Sequence, residues 1–280
     1  MNKKQTVNSD VQNEKVMASS FIGVLSNMNY PIKMSFKSLL FICLIFSYAS
    51  THEVIAQEDT EQVMAVQFAP GQVVQLIAPS SDPEKEPLRR AYYQTAIPLA
   101  QSYGFKNYGT LVVEQTIVGD FKPPVIVIGG WPSLHAQNEF KSHGDFKDIK
   151  LQRANAWEEL MIYNHLNPDR TALSFDKDKS YTVAFAWTKL SHPNSYFEYL
   201  EAVEPMLTQL GARFMHKMVA PNLDAIEPNS HAPQQITFVE WQSDDDLQKL
   251  QSLPEYRKIY PLFVEGIEKF EFHRVSPRIQ

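Results

Sequence analysis

Two basic residues in the second half of the chain are the first candidates for ligand chemistry. Arg213 and Lys217 lie in "ARFMHKMVA", a segment whose composition predicts a β-strand. Side chains alternate along a strand, so both are expected on one face with Met215 between them. If that face looks into an apolar enclosure, the two cations suit an acidic or polar small ligand. If it looks to solvent, they are ordinary surface charges, since Lys and Arg are rarely buried.

Histidines are the next residues that could do chemistry. None of the histidines after Ala56 has the spacing of a metal motif or a second histidine four residues away. His216 and His273 are the ones that fall on predicted core strands of the second half, where a lone histidine is more often a hydrogen-bonded structural residue. We therefore expect neither a metal nor another cofactor.

Two serine motifs are better explained by helix capping than by catalysis. Ser142 precedes Asp145, and Ser252 precedes Glu255, at the spacing of a capping box. In that motif the serine side chain accepts a hydrogen bond from the backbone, and the acid reaches back to the serine N–H. No serine lies in a nucleophile-elbow context, so a Ser-His-Asp triad is not predicted.

The elements that must position these residues form a tandem repeat. Trp131–Ile149 matches Trp241–Ile259 without a gap, with eight agreements in nineteen positions. The first helix of each half also repeats a tyrosine, a proline and a glycine. These are Tyr92, Pro98 and Gly104 in the first half, and Tyr199, Pro205 and Gly211 in the second. A repeat of this kind is the signature of a duplicated structural unit.

Each half has the predicted element order βαββαβ, which is that of a ferredoxin-like unit. Such a unit builds a four-stranded antiparallel sheet with both helices on one face, and its other face is apolar and needs a cover. The two units can supply that cover by packing sheet to sheet. We predict an α+β fold with a first unit at 72–165, a linker at 166–180 rich in Pro, Asp and Lys, and a second unit at 181–276. Pro98 and Pro205 are expected to kink or restart their helices.

The second half also carries the features of a known family. They are the strand "YTVAFAW", the helix end and basic strand "LTQLGARFMHK", and the segment "ITFVEWQSDDDLQKLQSLPEYRKIYPL". In the last segment Glu240 and Trp241 end a strand, and Ser252–Tyr256 matches a Ser-Pro-Glu-Tyr turn with one residue added. The half resembles the domain of unknown function 1330, a bacterial family of the dimeric α+β barrel superfamily. The resemblance covers about 181–276 and is degenerate in the first half. It implies an internal dimeric α+β barrel, and the family has no established reaction.

The superfamily resemblance suggests two kinds of chemistry. Some members are enzymes whose haem is held by one histidine. The histidine spacing in this chain does not favour a haem site. Others are cofactor-independent oxygenases, which need an apolar pocket and a few polar groups to orient and deprotonate an aromatic substrate. Residues that could supply such groups are Tyr199, Trp187, Trp241, Glu240 and Arg213. They could equally be packing and surface residues.

We expect the protein to bind a small molecule between its two sheets. The candidate ligand-binding residues are Arg213, Lys217, Glu240, Trp241, Tyr199 and Trp187. One alternative is a small enzyme of the cofactor-independent oxygenase or isomerase type, and another is a purely structural pseudo-dimer. The chain is expected to be a monomer with an internal pseudo-dimer, or a homodimer.

The composition and charge of the chain exclude one class of binding partner. The chain has 280 residues, 44% of them hydrophobic, and a formal net charge of −6. This is the composition of a globular protein, and it lacks the long basic clusters that a nucleic-acid surface needs. Nucleic acid is therefore not an expected partner.

The N-terminal part reads as a targeting segment. Residues 34–56, "MSFKSLLFICLIFSYASTHEVIA", combine a basic start, an apolar core and small residues for a peptidase, which is typical of a signal peptide. Cleavage fits best after Ala56, with Ala49 as the alternative, and it leaves no stable membrane anchor; a single uncleaved anchor is the competing interpretation. Residues 1–33 are predicted to be a non-native or disordered extension, with translation starting at Met34. We expect a periplasmic or secreted protein.

Overall fold

The computed structural model describes residues 62–80, 82–226 and 230–279. The predicted extension at 1–33 and the predicted signal peptide at 34–56 lie outside these residues. Within the described ranges, no helix combines the length and the apolar character that a membrane span requires.

Strands and helices follow one another in the predicted order βαββαβ in each half, and β1, β6 and β9 are additional strands. The strands are β1 Val63–Phe68, β2 Val73–Ser80, β3 Lys106–Val118, β4 Val125–Trp131, β5 Glu159–Leu166, β6 Thr171–Asp176, β7 Ser180–Thr188, β8 Arg213–Val219, β9 Asn222–Ala225, β10 Gln235–Trp241 and β11 Ile267–Pro277. The helices are α1 Glu86–Ser102, α2 Leu134–Ser142, α3 Phe146–Ala156, α4 Ser195–Gln209, α5 Asp246–Ser252 and α6 Pro254–Gly266. The second helix of each ferredoxin-like unit is thus split in two.

The strand order confirms two tandem ferredoxin-like units. Adjacent strands run β3-β4-β2-β5 in the first half and β8-β10-β7-β11 in the second, all antiparallel. The halves join where β11 pairs with β3 and where β5 pairs with β9. β9 follows β8 after Ala220 and Pro221, so the two ends of the sheet are neighbours in sequence. The fold is an α+β internal dimeric barrel.

The inner faces of the two halves meet around one large hydrophobic cluster, which we call the barrel core. Its largest fully buried side chains are Phe68, Leu76, Leu111, Ile126, Ile128, Tyr163, Phe175, Tyr181, Phe185, Met218 and Phe238. Both halves contribute to this list, so the apolar face that each sheet leaves bare is covered by the other half.

The predicted linker at 166–180 is more than an exposed connector. It contains β6, which pairs along its whole length with β1 to form a separate two-stranded ribbon. Val66, Phe68, Leu173 and Phe175 point from this ribbon into the barrel core. The alternation of apolar and polar residues in "TALSFD" is the strand pattern that the Pro, Asp and Lys content of the linker obscured.

The glycine at the end of the first helix is a shared feature of the two repeats. Gly104 has φ +86° and Gly211 has φ +73°, a left-handed conformation that glycine adopts without steric cost. Pro98 lies inside α1 and Pro205 lies inside α4. Each helix continues past its proline, so neither helix restarts there.

The predicted capping boxes do not form at Ser252 or Ser142. Ser252 ends α5 and donates its hydroxyl to the carbonyl oxygen of Lys249, while α6 begins without a side-chain cap. The helix after Ser142 likewise has no side-chain cap. Only the acid half of such a motif forms, at Ser243 and Asp246, where the serine N–H donates to one carboxylate oxygen over 2.8 Å and the serine hydroxyl donates to the other over 2.9 Å.

Candidate functional site

A cavity of about 70 Å³ lies in the second half, between the outer face of its sheet and the helices α4, α5 and α6. We call it the tyrosine cavity. Its aromatic lining consists of Tyr196, Tyr199, Phe214, Trp241, Tyr256, Phe263, Phe270 and Phe272. The other lining residues are aliphatic except for Thr237, and no Asp, Glu, Lys, Arg or His is among them.

Helical and strand periodicity place these side chains. Tyr196, Leu200, Val203 and Leu207 form one face of α4 and turn towards the sheet, as their spacing predicts. Alternate strand residues provide the opposite wall, because every second side chain of β7 and β10 points away from the barrel core. Ala184 lies in that wall, and its small side chain leaves the space that a larger residue would take.

Two tyrosine hydroxyls meet at the cavity. The hydroxyl of Tyr199 donates to that of Tyr256 over 3.4 Å, a long and therefore weak contact. Burial raises the pKa of Tyr256 to about 12, and burial together with Tyr256 raises the pKa of Tyr199 well above its usual value. Both phenols are therefore protonated at neutral pH, and each can donate or accept a hydrogen bond.

The two candidate tryptophans lie on opposite faces of the sheet. Trp241 lines the tyrosine cavity and donates its indole N–H to the hydroxyl of Thr182 over 2.9 Å. Trp187 belongs to the barrel core, and its indole N–H donates to the carbonyl oxygen of His231. Of the predicted site residues, Tyr199 and Trp241 reach the cavity and Trp187 does not.

The expectation that Arg213 and Lys217 share a face is wrong. The pairing of β8 with β10 shifts by one residue, so Met215 is an extra residue that has no partner of its own. A β-bulge of this kind reverses the alternation of side chains beyond it. Lys217 consequently lies on the helix side, with its Nζ 4.1 Å from the ring centroid of Phe214 and 3.6 Å from an oxygen of Glu204.

Arg213 lies on the other face and forms a surface ion pair. Its Nη2 is 2.9 Å from Oε2 of Glu240, and its side chain is 59% exposed. The pair is outside the tyrosine cavity, and neither residue lines it. The barrel core lies between the two half-sheets and the tyrosine cavity lies on the far side of the second half-sheet, so this cavity is not at the predicted ligand position between the sheets.

Neither strand histidine lines the tyrosine cavity: His273 is buried, with its ring 5.8 Å from that of Phe185 in the barrel core, and His216 is half-buried. His273 is 0% exposed, and its Nδ1 is 3.1 Å from the hydroxyl oxygen of Thr116. The ring of His216 lies 6.3 Å from that of His165. Burial lowers the pKa of His216 and of His273 to about 4, so both are neutral at pH 7. The tyrosine cavity offers no imidazole to hold a haem iron, and the described residues contain no cluster of three or more His, Cys, Asp or Glu side chains suited to a metal.

Sequence reasoning missed most of the cavity wall. Tyr256 and Phe263 lie on one face of α6, and Phe270 and Phe272 alternate along β11. Their periodicity indicates a buried face, and nothing in that pattern distinguishes a residue that borders a cavity from one that is fully packed.

Solved structures similar to this chain were found, whereas no family model and no curated protein sequence matches it. An anthrone oxidase-like protein is 12% identical, over 76% of this chain and 95% of its own, with a TM-score of 0.46. A mutant chlorite dismutase from Candidatus Nitrospira defluvii is 12% identical over 74% and 92%, with a TM-score of 0.40. A protein of unknown function from Rhodopseudomonas palustris is 16% identical over 38% and 82%, with a TM-score of 0.27. With likeness this low, function has to be argued from the residues of the chain.

Proposed function

We propose that the protein binds a small, neutral aromatic molecule in the tyrosine cavity. The observation that carries the proposal is the lining itself, which is aromatic and aliphatic, contains no charged side chain, and places two phenol hydroxyls side by side. Ligand sites are commonly apolar cavities with a few polar groups that fix orientation. A charged ligand would lose its hydration here without gaining a counter-ion.

The size of the cavity sets the size of the ligand. A buried water needs roughly 10–15 Å³ of such space, so 70 Å³ holds about five to seven water-sized groups. An engineered cavity that binds benzene has roughly 150 Å³, so a ligand with one aromatic ring requires the surrounding side chains to move apart. The surrounding rings can pack edge to face against it, as Tyr199 and Phe263 already do against each other with centroids 5.2 Å apart.

The hydroxyl pair suits a ligand that carries one oxygen. Tyr199 and Tyr256 approach to 3.4 Å, beyond the 2.5–3.0 Å of a good O–H···O bond. A hydroxyl or carbonyl oxygen of the ligand can replace this weak contact with a better one. The ligand class is therefore a phenol or a small aromatic carbonyl compound.

The same lining limits catalysis in this cavity. The ionisable groups that border it are tyrosines whose pKa values are raised, so they serve as proton donors and not as bases at neutral pH. An oxygenase or isomerase mechanism that deprotonates its substrate would lack a base among these residues. We therefore favour a binding protein over the oxygenase or isomerase alternative.

Three sequence-based predictions accompany this proposal. The second half is a member of the domain of unknown function 1330, the protein is exported to the periplasm or exterior after cleavage of a signal peptide, and it acts as a monomer with an internal pseudo-dimer or as a homodimer. The family features in 181–276 and the apolar segment in 34–56 support the first two. The pairing of the two halves within one chain supports the third.

Calorimetric titration with phenol, and with benzoate as its charged counterpart, tests the proposal. We expect one equivalent of phenol to bind and benzoate not to bind. Tyr199→Phe should weaken phenol binding about three- to tenfold, the effect of one lost hydrogen bond. Tyr93→Phe is the matched control, since that tyrosine lies on α1 of the first half, and it should leave the affinity unchanged.

Two results would overturn the proposal. One is benzoate binding as tightly as phenol, and the other is equal affinity in wild type and Tyr199→Phe. Oxygen uptake with phenols and hydroquinones separates binding from catalysis. Uptake that wild type accelerates and Tyr199→Phe abolishes would establish the oxygenase alternative instead.

A further inference from the structure

A second cavity lies where β9 of the second half docks on the first half. It has a volume of about 90 Å³ and is lined by Lys150, Arg153, Ala154, Leu160, Asp224, Ala225 and Ile226. We call it the arginine cavity. Unlike the tyrosine cavity, it is bordered by charged side chains from two parts of the chain, α3 and β9.

Arg153 is the fixed element of this cavity. It is only 7% exposed, and three groups hold its guanidinium. Nη1 lies 3.1 Å from Oδ2 of Asp224, Nε donates to the hydroxyl of Tyr92 over 3.2 Å, and the ring of Phe146 lies 5.7 Å away. A guanidinium positioned in this way offers preorganised donors, so a ligand that binds to it does not have to immobilise a free side chain.

The charges around Arg153 do not balance among the described residues. Lys150 places its Nζ 3.3 Å from Oδ1 of Asp224, so this one carboxylate already serves two cations. Lys141 is a third cation close by. Burial lowers its pKa, Asp224 opposes that effect, and the positive charges of Arg153 and Lys150 lower it further. Two cations, Lys150 and Arg153, therefore share one carboxylate, and Lys141 interacts electrostatically with all three groups without an ion pair of its own to Asp224 among the contacts described.

Excess positive charge in a partly buried cavity favours an anion. Desolvated cations gain most from a partner that accepts several hydrogen bonds, and Arg with Lys is the usual combination for phosphate oxygens. The positive charges of Lys150 and Arg153 would also repel a cationic ligand. We propose that the arginine cavity binds a small oxyanion of the phosphate type, either inorganic phosphate or the phosphate group of a small phosphomonoester.

The test is calorimetric titration of the full chain with inorganic phosphate, against chloride at the same ionic strength. We expect one equivalent of phosphate to bind beyond the effect of salt. Lys150→Ala should weaken binding about five- to tenfold, since it removes a cation that lines the cavity. Lys147→Ala is the matched control, because that lysine is exposed on the same helix as Lys150 and does not line the cavity.

A variant with the opposite expected sign sharpens the test. Asp224→Asn removes the one carboxylate and should tighten phosphate binding, by about fivefold or more on the electrostatic argument. Circular dichroism checks that this variant folds, and if it does not, the comparison of Lys150→Ala with Lys147→Ala decides. The proposal is overturned if phosphate does no more than chloride, if Lys147→Ala weakens binding as much as Lys150→Ala, or if folded Asp224→Asn does not bind more tightly.

Discussion

Adding one methylene group at two matched valines tests whether the tyrosine cavity exists. Val239 of β10 lines the cavity, whereas Val183 of β7 lies in the barrel core. Both are buried, at 6% and 0% exposure, and both are on interior strands of the same sheet. Val→Leu adds the same methylene group at both sites, so the difference between the two variants reports mainly the space around each side chain.

The expected effects have opposite signs. At Val239 the added methylene enters the cavity and should stabilise the fold by up to about 0.8 kcal/mol, the value for one buried CH₂ group. This gain is smaller than the free energy of unfolding that an empty cavity of 70 Å³ costs the protein, which is about 1.7 kcal/mol at roughly 24 cal/mol per Å³. At Val183 the packed barrel core has no such space, and overpacking should destabilise the fold by about 1–3 kcal/mol.

Urea unfolding measures both free energies by linear extrapolation. Val239→Leu should be about 1–4 kcal/mol more stable than Val183→Leu. It should also weaken phenol binding, because the added group occupies the ligand's space. Equal destabilisation by the two substitutions would refute the reasoning, since it would mean that Val239 borders packed atoms.

Two further predictions concern residues outside the cavity. Arg213→Ala should leave phenol affinity unchanged and should lower the free energy of unfolding by about 1–3 kcal/mol, because the Glu240 side chain, only 13% exposed, loses its charged partner; a large loss of affinity in the same titration would restore Arg213 as a binding residue. His273 is neutral in the folded state with a pKa of about 4, whereas the unfolded residue takes up a proton near pH 6.5. Its contribution, about 3 kcal/mol, is therefore present above pH 6.5 and is lost as the pH falls towards 4. Urea unfolding across this range should show that loss in wild type and a flatter profile in His273→Gln, and an unchanged slope in the variant would contradict it.

The fold could be predicted because two kinds of signal agree. Repeated residues such as Gly104 and Gly211 mark equivalent helix ends, and strands such as "ELMIYNHL" and "VIVIGGW" are read from composition alone. The ribbon of β1 and β6 was missed because each strand is short and lies outside the repeat. It adds side chains to the barrel core without altering the order of the ferredoxin-like strands.

The site was less predictable, for physical reasons that individual residues show. The face assigned to Lys217 depended on regular alternation, and one bulged residue, Met215, reverses it. The helical face of α4 was correct, but a cavity beneath it depends on the small size of Ala184 and on how closely the helices approach the sheet. Neither quantity is contained in a hydrophobic pattern.

A crystal structure of the protein soaked with phenol tests the central claim most directly. We predict electron density for one phenol between α4, α6 and the sheet, with its oxygen within hydrogen-bonding distance of the hydroxyl of Tyr199 or Tyr256. An empty tyrosine cavity at a phenol concentration that saturates the protein in solution, or density at the Arg213–Glu240 pair or between the two half-sheets instead, would contradict it.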